Sequence, residues 1–235
     1  MKNIYLSALY KVRDNAGPAN VGGCKMDCGA TYAAYKRLYD VSSQSFLNNL
    51  QAIDQHVLFE GEFDHIQDGV RECLFFTHKL WKDNAPCNIL YAAPDTACLR
   101  PTMLFGRFAE FRMFNRTPMR NRRKRGFDRL LNADVKYFPF TMDESVWING
   151  LKMAREQWNY GDWNSEQLVL HAMMWEWQNV PEDDWFHPEL AFQAYVPRPL
   201  RYNGIPLSEA HIVHLAGSRG ADAALVRMKE LLGIA

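Results

Sequence analysis

The chain has 235 residues, 48% hydrophobic, 13% aromatic and 23% charged, enough to bury a sizeable core in one domain spanning the full 1–235. Lys plus Arg equals Asp plus Glu at 27 each, which excludes a global field that recruits anionic partners and leaves any nucleic-acid binding to a local patch. The five cysteines form neither a disulfide framework nor a zinc pattern, because Cys24-x-x-x-Cys28 lacks a second ligand pair. Reduced thiols are the expectation. The apolar run at Met1–Leu6 is too short for a signal peptide, and no segment approaches the ~20 apolar residues of a membrane span. The expected protein is soluble and cytoplasmic, with no membrane partner.

In chain order, Ile4 to Val12 is apolar almost throughout and predicts a strand buried on both faces. Arg13 to Gly29, rich in Gly, Asn and Pro, predicts a long loop at that strand's carboxyl end. Tyr32, Tyr35, Leu38 and Tyr39 recur at helical spacing, and Ser42 or Ser43 is placed to cap a second helix ending near Leu50. Gln55 to Phe59 predicts a strand. Asp68 to Lys82 predicts an amphipathic helix with Val70, Leu74, Thr77 and Trp81 on one stripe. Asn88 to Tyr91 predicts the next strand, so the first 100 residues alternate strand and helix, the pattern of a mostly parallel sheet.

Phe105 to Phe114 predicts an aromatic-rich strand region, followed by the dense charge run Arg120 to Arg125. Asn132 to Phe140 predicts a strand, and Asp143 to Gln157 and Trp163 to Trp177 predict helices, the second capped by Asn164 or Ser165. Pro181 to Pro199 reads as turn-rich. His211 to Leu215 predicts a short strand, and Ala221 to Leu232 a final helix. No repeat or linker interrupts the chain.

The stretch that organises the chemistry is Leu90-Tyr91-Ala92-Ala93-Pro94-Asp95-Thr96. A strand ending at a small-Pro-Asp turn presents Asp95 at the carboxyl edge of the sheet, where open α/β sheets bind ligands. Thr96 is placed to hydrogen-bond the turn and fix the carboxylate. Read blandly, the same residues are a turn with a solvated acid.

Several pieces in order resemble the GT-A glycosyltransferases, particularly the glycogenin-like, nucleotide-sugar-dependent branch. These are Thr77-His78-Lys79-Leu80-Trp81, the Asp-x-Asp-Thr-like Ala93-Pro94-Asp95-Thr96, Leu131-Asn132-Ala133-Asp134-Val135, Asn164-Ser165-Glu166-Gln167 and His211 to Gly217. The resemblance covers about two thirds of the chain. It implies a GT-A-like α/β domain, a central mostly parallel sheet flanked by helices, and sugar transfer from a nucleoside-diphosphate sugar, UDP-linked, to a hydroxyl. A divalent cation, Mn²⁺ or Mg²⁺, then neutralises the departing diphosphate.

Residue by residue, the resemblance assigns the metal to Asp95 and His214. It assigns donor contacts to Lys79, Asp95, Asn132, Gln167, Ser218 and Arg219, and catalytic work to Glu166 and Asp134, with Glu166 and Gln167 beside the anomeric carbon and Asn132 and Asp134 on the donor hydroxyls. One departure stands out. The family's first motif aspartate falls on Ala93, which cannot bind a cation, so either one carboxylate suffices or the chain is an Asp-to-Ala variant.

The acceptor is read from the basic run. Arg120, Arg122, Arg123, Lys124 and Arg125 lie within a fourteen-residue stretch holding seven cations, flanked by Phe114 and Phe127. Such a loop suits a phosphate backbone with a displaced base on the aromatics. The expectation is double-stranded DNA bearing a hydroxymethylated pyrimidine, as in bacteriophage genome modification. A glycan or protein acceptor competes with it, as do a solvated surface loop and a non-catalytic sugar-nucleotide-binding protein. A hydrolase built on Asp95 and His214 is a weaker alternative, because no nucleophile elbow is visible.

Overall fold

The computed structural model describes residues 1–13, 20–21, 24–25, 28–109, 111–116, 130–156, 158, 169–170, 191–195, 209–216 and 221–234. In order, these form β1 (Lys2–Val12), β2 (Asn20–Val21), β3 (Cys24–Lys25), α1 (Cys28–Asn49), β4 (Gln55–Phe63) and α2 (Ile66–Asp83). Then come β5 (Cys87–Ala92), β6 (Thr96–Cys98), β7 (Arg112–Arg116), β8 (Leu130–Phe138), α3 (Glu144–Glu156), β9 (Ala191–Tyr195), β10 (Ile212–Ala216) and α4 (Ala221–Leu232).

A five-stranded sheet runs in the order β4-β1-β5-β8-β7. β4, β1 and β5 are parallel, β8 opposes β5, and β7 opposes β8. Four of the five strands therefore point one way, the mixed α/β sheet that the strand–helix alternation predicts. β1 supplies the centre because both of its faces are apolar. Ile4, Leu6 and Ala8 join one buried layer with Leu74 and Trp81 of α2 and Trp147 and Leu151 of α3. Tyr5 enters the opposite layer and stacks on Phe46 of α1 at 5.1 Å. The period-two alternation of a strand thus divides one sequence between two helical layers. Each fully buried aliphatic side chain there contributes about 1.5–3 kcal/mol.

A second sheet, β6-β10-β9, lies beyond the carboxyl end of β5. Ala97, Val213 and Leu215 of this sheet pack with Leu38 of α1 and Met228 of α4. β6 is its edge strand, and α1 stands in for the missing neighbour: Ser45 Oγ accepts from the Cys98 amide at 3.0 Å, and Asn49 Nδ2 donates to the Cys98 carbonyl at 2.8 Å.

Several expectations are corrected. The two helices read at 32–39 and 42–50 are one helix, α1. Its serines do not cap; Ser43 and Ser45 hydroxyls bond back to the carbonyls of Asp40 and Ser42, which lets serine sit mid-helix. The loop after β1 contains the β2–β3 hairpin. Phe105 and Phe108 precede β7 rather than belong to it, and pack on Tyr137 of β8. The turn-rich segment 181–199 includes a strand, β9. Of the helix expected at Trp163–Trp177, only 169–170 is described, and it is helical. Cys73, Cys87 and Cys98 are buried and joined in no disulfide among the described residues; burial raises the thiols of Cys87 and Cys98 to about 11. Among the described residues no helix is long and apolar enough to cross a membrane.

Candidate metal centre at the junction of the two sheets

The chain leaves the large sheet at Ala92 and enters the small one at Thr96, and the turn between them carries Asp95. The Thr96 amide donates to the Ala93 carbonyl at 3.0 Å, and the Thr96 hydroxyl donates to the same carbonyl at 2.5 Å. Pro94 presets the backbone for such a turn. Thr96 is fully buried, so both bonds are shielded from competing water.

Two further backbone bonds tie this turn to the strands on either side. The Ala93 amide donates to the Asp134 carbonyl of β8 at 2.8 Å, and the Leu215 amide of β10 donates to the Asp95 carbonyl at 2.8 Å. Within the small sheet, His214 is the direct antiparallel partner of Thr96. Three side chains from three separate segments are thus brought to one point by main-chain hydrogen bonds.

His214 Nε2 lies 3.1 Å from Asp95 Oδ2 and 3.2 Å from Asp134 Oδ2. One ligating atom from each residue falls within 4.8 Å of the other two. The imidazole is buried, with its side chain 7% exposed, whereas the carboxylates are partly exposed at 29% and 34%. Ions such as Mg²⁺ take ligands at about 2.1 Å in octahedral geometry, so adjacent donors stand about 3 Å apart and opposite ones about 4.2 Å. The spacing fits. Two hard carboxylates with one imidazole suit Mn²⁺ better than Mg²⁺, because nitrogen is the softer ligand.

The other sequence-derived residues fall elsewhere. Asp134, expected beside the sugar, is here the second carboxylate of the cluster. Lys79 is not brought to it: α2 returns toward the amino edge before β5, and Lys79, 73% exposed, pairs with Asp83 one turn on. Asn132 lies in β8, opposite Phe114 of β7. Glu166, Gln167, Ser218, Arg219 and the run Arg120, Arg122, Arg123, Lys124 and Arg125 lie outside the described residues. Ala93 is 6% exposed and packed in the apolar layer with Tyr91, Phe111 and Met113. Beside Asp95 the fold places a second carboxylate, Asp134, so the group as it stands offers two carboxylates and one imidazole. His211, three residues before His214, faces Thr102 instead, with Nδ1 3.0 Å from its hydroxyl.

Neither a family model nor a curated protein matches this sequence. Among solved structures, a glycosyltransferase involved in glycosylation of the major capsid of PBCV-1 superposes with a TM-score of 0.58, at 10% identity, over 98% of this chain and 100% of that one. The fold is shared with a glycosyltransferase. The galactosyltransferase LgtC, solved with donor and acceptor sugar analogs, aligns over 98% of this chain and 95% of its own at 12% identity, with a TM-score of 0.48.

Proposed function

We propose that the protein is a divalent-metal-dependent glycosyltransferase that takes its sugar from a nucleoside diphosphate, a UDP-sugar. The observation that carries this reading is the Asp95–Asp134–His214 cluster, set at the strand edge where α/β sheets bind ligands, in a fold shared with a solved glycosyltransferase. Asp95, Asp134 and His214 would hold Mn²⁺ or Mg²⁺. When bound, the ion supplies positive charge against the leaving diphosphate.

The chain's own residues prepare that event. Thr96 and the backbone bonds from Ala93 and Leu215 tie the main chain at Asp95 to β8 and β10 before any ligand arrives, so little backbone reorganisation accompanies reaction. Alanine at position 93 is no defect in this reading, because Asp134 supplies the carboxylate that the Asp-x-Asp pattern places there. Glu166 and Gln167 are proposed to flank the anomeric carbon, with Asn132, Ser218 and Arg219 on the donor, all on the strength of their motifs.

For the acceptor, the support is the run Arg120 to Arg125, which suits a polyanion such as duplex DNA. Gel shifts on hydroxymethylated duplex should weaken steeply with salt and vanish when Arg122, Arg123 and Arg125 are neutralised. Salt-insensitive or absent binding would leave a glycan or protein hydroxyl as the acceptor.

The decisive experiment is calorimetric titration with Mn²⁺, then UDP, followed by a panel of UDP-sugars assayed for UDP release with Mn²⁺ or with EDTA. Metal-dependent release from one donor is the expected result. A protein that binds neither Mn²⁺ nor any nucleoside diphosphate is not this enzyme.

A further inference from the structure

Two features of the backbone converge on Asp134. The first is a break in register. Between Met113 and Phe114 strand β7 advances by one residue, while its partner β8 passes from Lys136 to Asn132, so the ladder skips Ala133, Asp134 and Val135. A bulge of this kind bends its strand and re-aims the side chains it carries. At its centre is the carboxylate whose Oδ2 stands 3.2 Å from His214 Nε2.

The second feature lies on the other side of β8. The β5–β8 ladder pairs Tyr91 with Lys136 and Ala92 with Val135. The next step sets Ala93 against Asp134, where the Ala93 amide donates to the Asp134 carbonyl at 2.8 Å. Ile89, Tyr91 and Ala93 alternate onto one face and share a buried layer with Phe138 of β8. Asp134, four residues from Phe138 in the same strand, belongs to that face too. Side chains directly opposite on neighbouring strands have Cβ atoms about 4.5–5.5 Å apart, so the Ala93 methyl and the Asp134 carboxylate compete for one space. Ala93 has little room to give way. Its carbonyl accepts from both the amide and the hydroxyl of Thr96, and it is 6% exposed.

We propose that Ala93 is a positioning residue for Asp134. The bulge takes Asp134 out of the β7 ladder, and a methyl group opposite leaves the room in which its carboxylate lies against His214. A larger side chain at position 93 takes that room and swings the carboxylate off the imidazole. Alanine at this position is then a requirement of the cluster. The proposal rests on the metal-dependent reading above, and it has a signature that packing alone does not produce: the effect of position 93 on metal affinity depends on the charge at position 134.

The test measures Mn²⁺ affinity by calorimetry, and Tm in EDTA, for Ala93→Ser and Ala93→Val, each alone and combined with Asp134→Asn. Changing a residue that orients a metal ligand typically costs about 10–100-fold in affinity. A93V crowds the ligand without deleting it, so its Mn²⁺ affinity should fall about tenfold, the lower end of that range, and A93S, one heavy atom larger than alanine, should lose about threefold. In the D134N background either change should move Mn²⁺ affinity by less than about twofold, because the group it displaces no longer carries the charge. Overpacking alone lowers Tm in both backgrounds and does not make Kd depend on residue 134. If A93V does not fold, A93S carries the same comparison. Mn²⁺ affinity equal to wild type in both variants, or the same loss with and without the Asp134 charge, overturns the proposal and leaves the metal reading standing. A wild type that binds no Mn²⁺ overturns the metal reading, and this proposal with it.

Discussion

Substituting Asp134 by Asn tests the cluster most directly, because it removes one charge and keeps the shape. Breaking a fully buried charge pair costs about 3–5 kcal/mol. Asp134 is 34% exposed at the side chain, and water replaces part of the lost interaction, so about 2–3 kcal/mol of cation binding should disappear. That is a roughly 30- to 150-fold weaker Kd for Mn²⁺. The metal-free protein should behave differently. There the substitution also relieves repulsion between Asp95 and Asp134, whose oxygens share the same imidazole at 3.1 and 3.2 Å, so Tm in EDTA should hold or rise. Thermal unfolding across a Mn²⁺ series separates the two effects, because a ligand bound only by the folded state raises stability by RT ln(1 + [L]/Kd). Wild type should climb with Mn²⁺ while D134N stays flat through the range that saturates wild type. Parallel curves for the two proteins would mean that Asp134 does not touch the ion, and the site would revert to Asp95 and His214.

Thr96→Val keeps the side chain's volume and deletes its bond to the Ala93 carbonyl. Unfolding should cost about 1 kcal/mol less, or about 2–4 °C in Tm for a chain of this size, with Mn²⁺ binding roughly tenfold weaker by calorimetry. Lys79→Ala should leave Mn²⁺ and UDP affinity at wild-type values, since its exposed partner is Asp83; a large loss of UDP binding would restore the donor role read from its motif. Burial holds His56 below the ordinary imidazole range, and burial also outweighs the nearby Glu144 carboxylate at His78. Both take up a proton less readily folded than unfolded, so stability is greatest above the unfolded value of about 6.5 and falls as pH drops through it. A Tm series from pH 8 to 5 on wild type and His78→Gln checks this, and the variant's slope should be the shallower.

The frame of the molecule was legible because its signals are local and periodic. β1 announced itself by an unbroken apolar run, and its neighbours by strand–helix alternation, which leaves few topologies open. The errors fall where a side chain's role depends on a distant partner. Ser42 and Ser43 look like caps in isolation; α1 continues through them, with the Ser43 and Ser45 hydroxyls bonded back into the helix, and Ser45 also serves Cys98, 53 residues away. β9 sits in a turn-rich segment and is a strand only because β10 pairs with it in parallel. No window of residues contains that information.

The cluster shows the same limit more sharply. A linear motif asks for two acids one residue apart, and at Ala93 the first is missing. In the sheet, however, Ala93 and Asp134 are neighbours on adjacent strands, joined by a backbone bond of 2.8 Å. Adjacent strands are only about 4.8 Å apart, within reach of a carboxylate on either one. An acid moved from the end of β5 to β8 travels about 40 positions in sequence and one strand spacing in space. The signal that would have found it is Asp134 itself, a carboxylate set between the apolar Ala133 and Val135 in β8. Such a residue is expensive there unless something at that end of the sheet uses its charge.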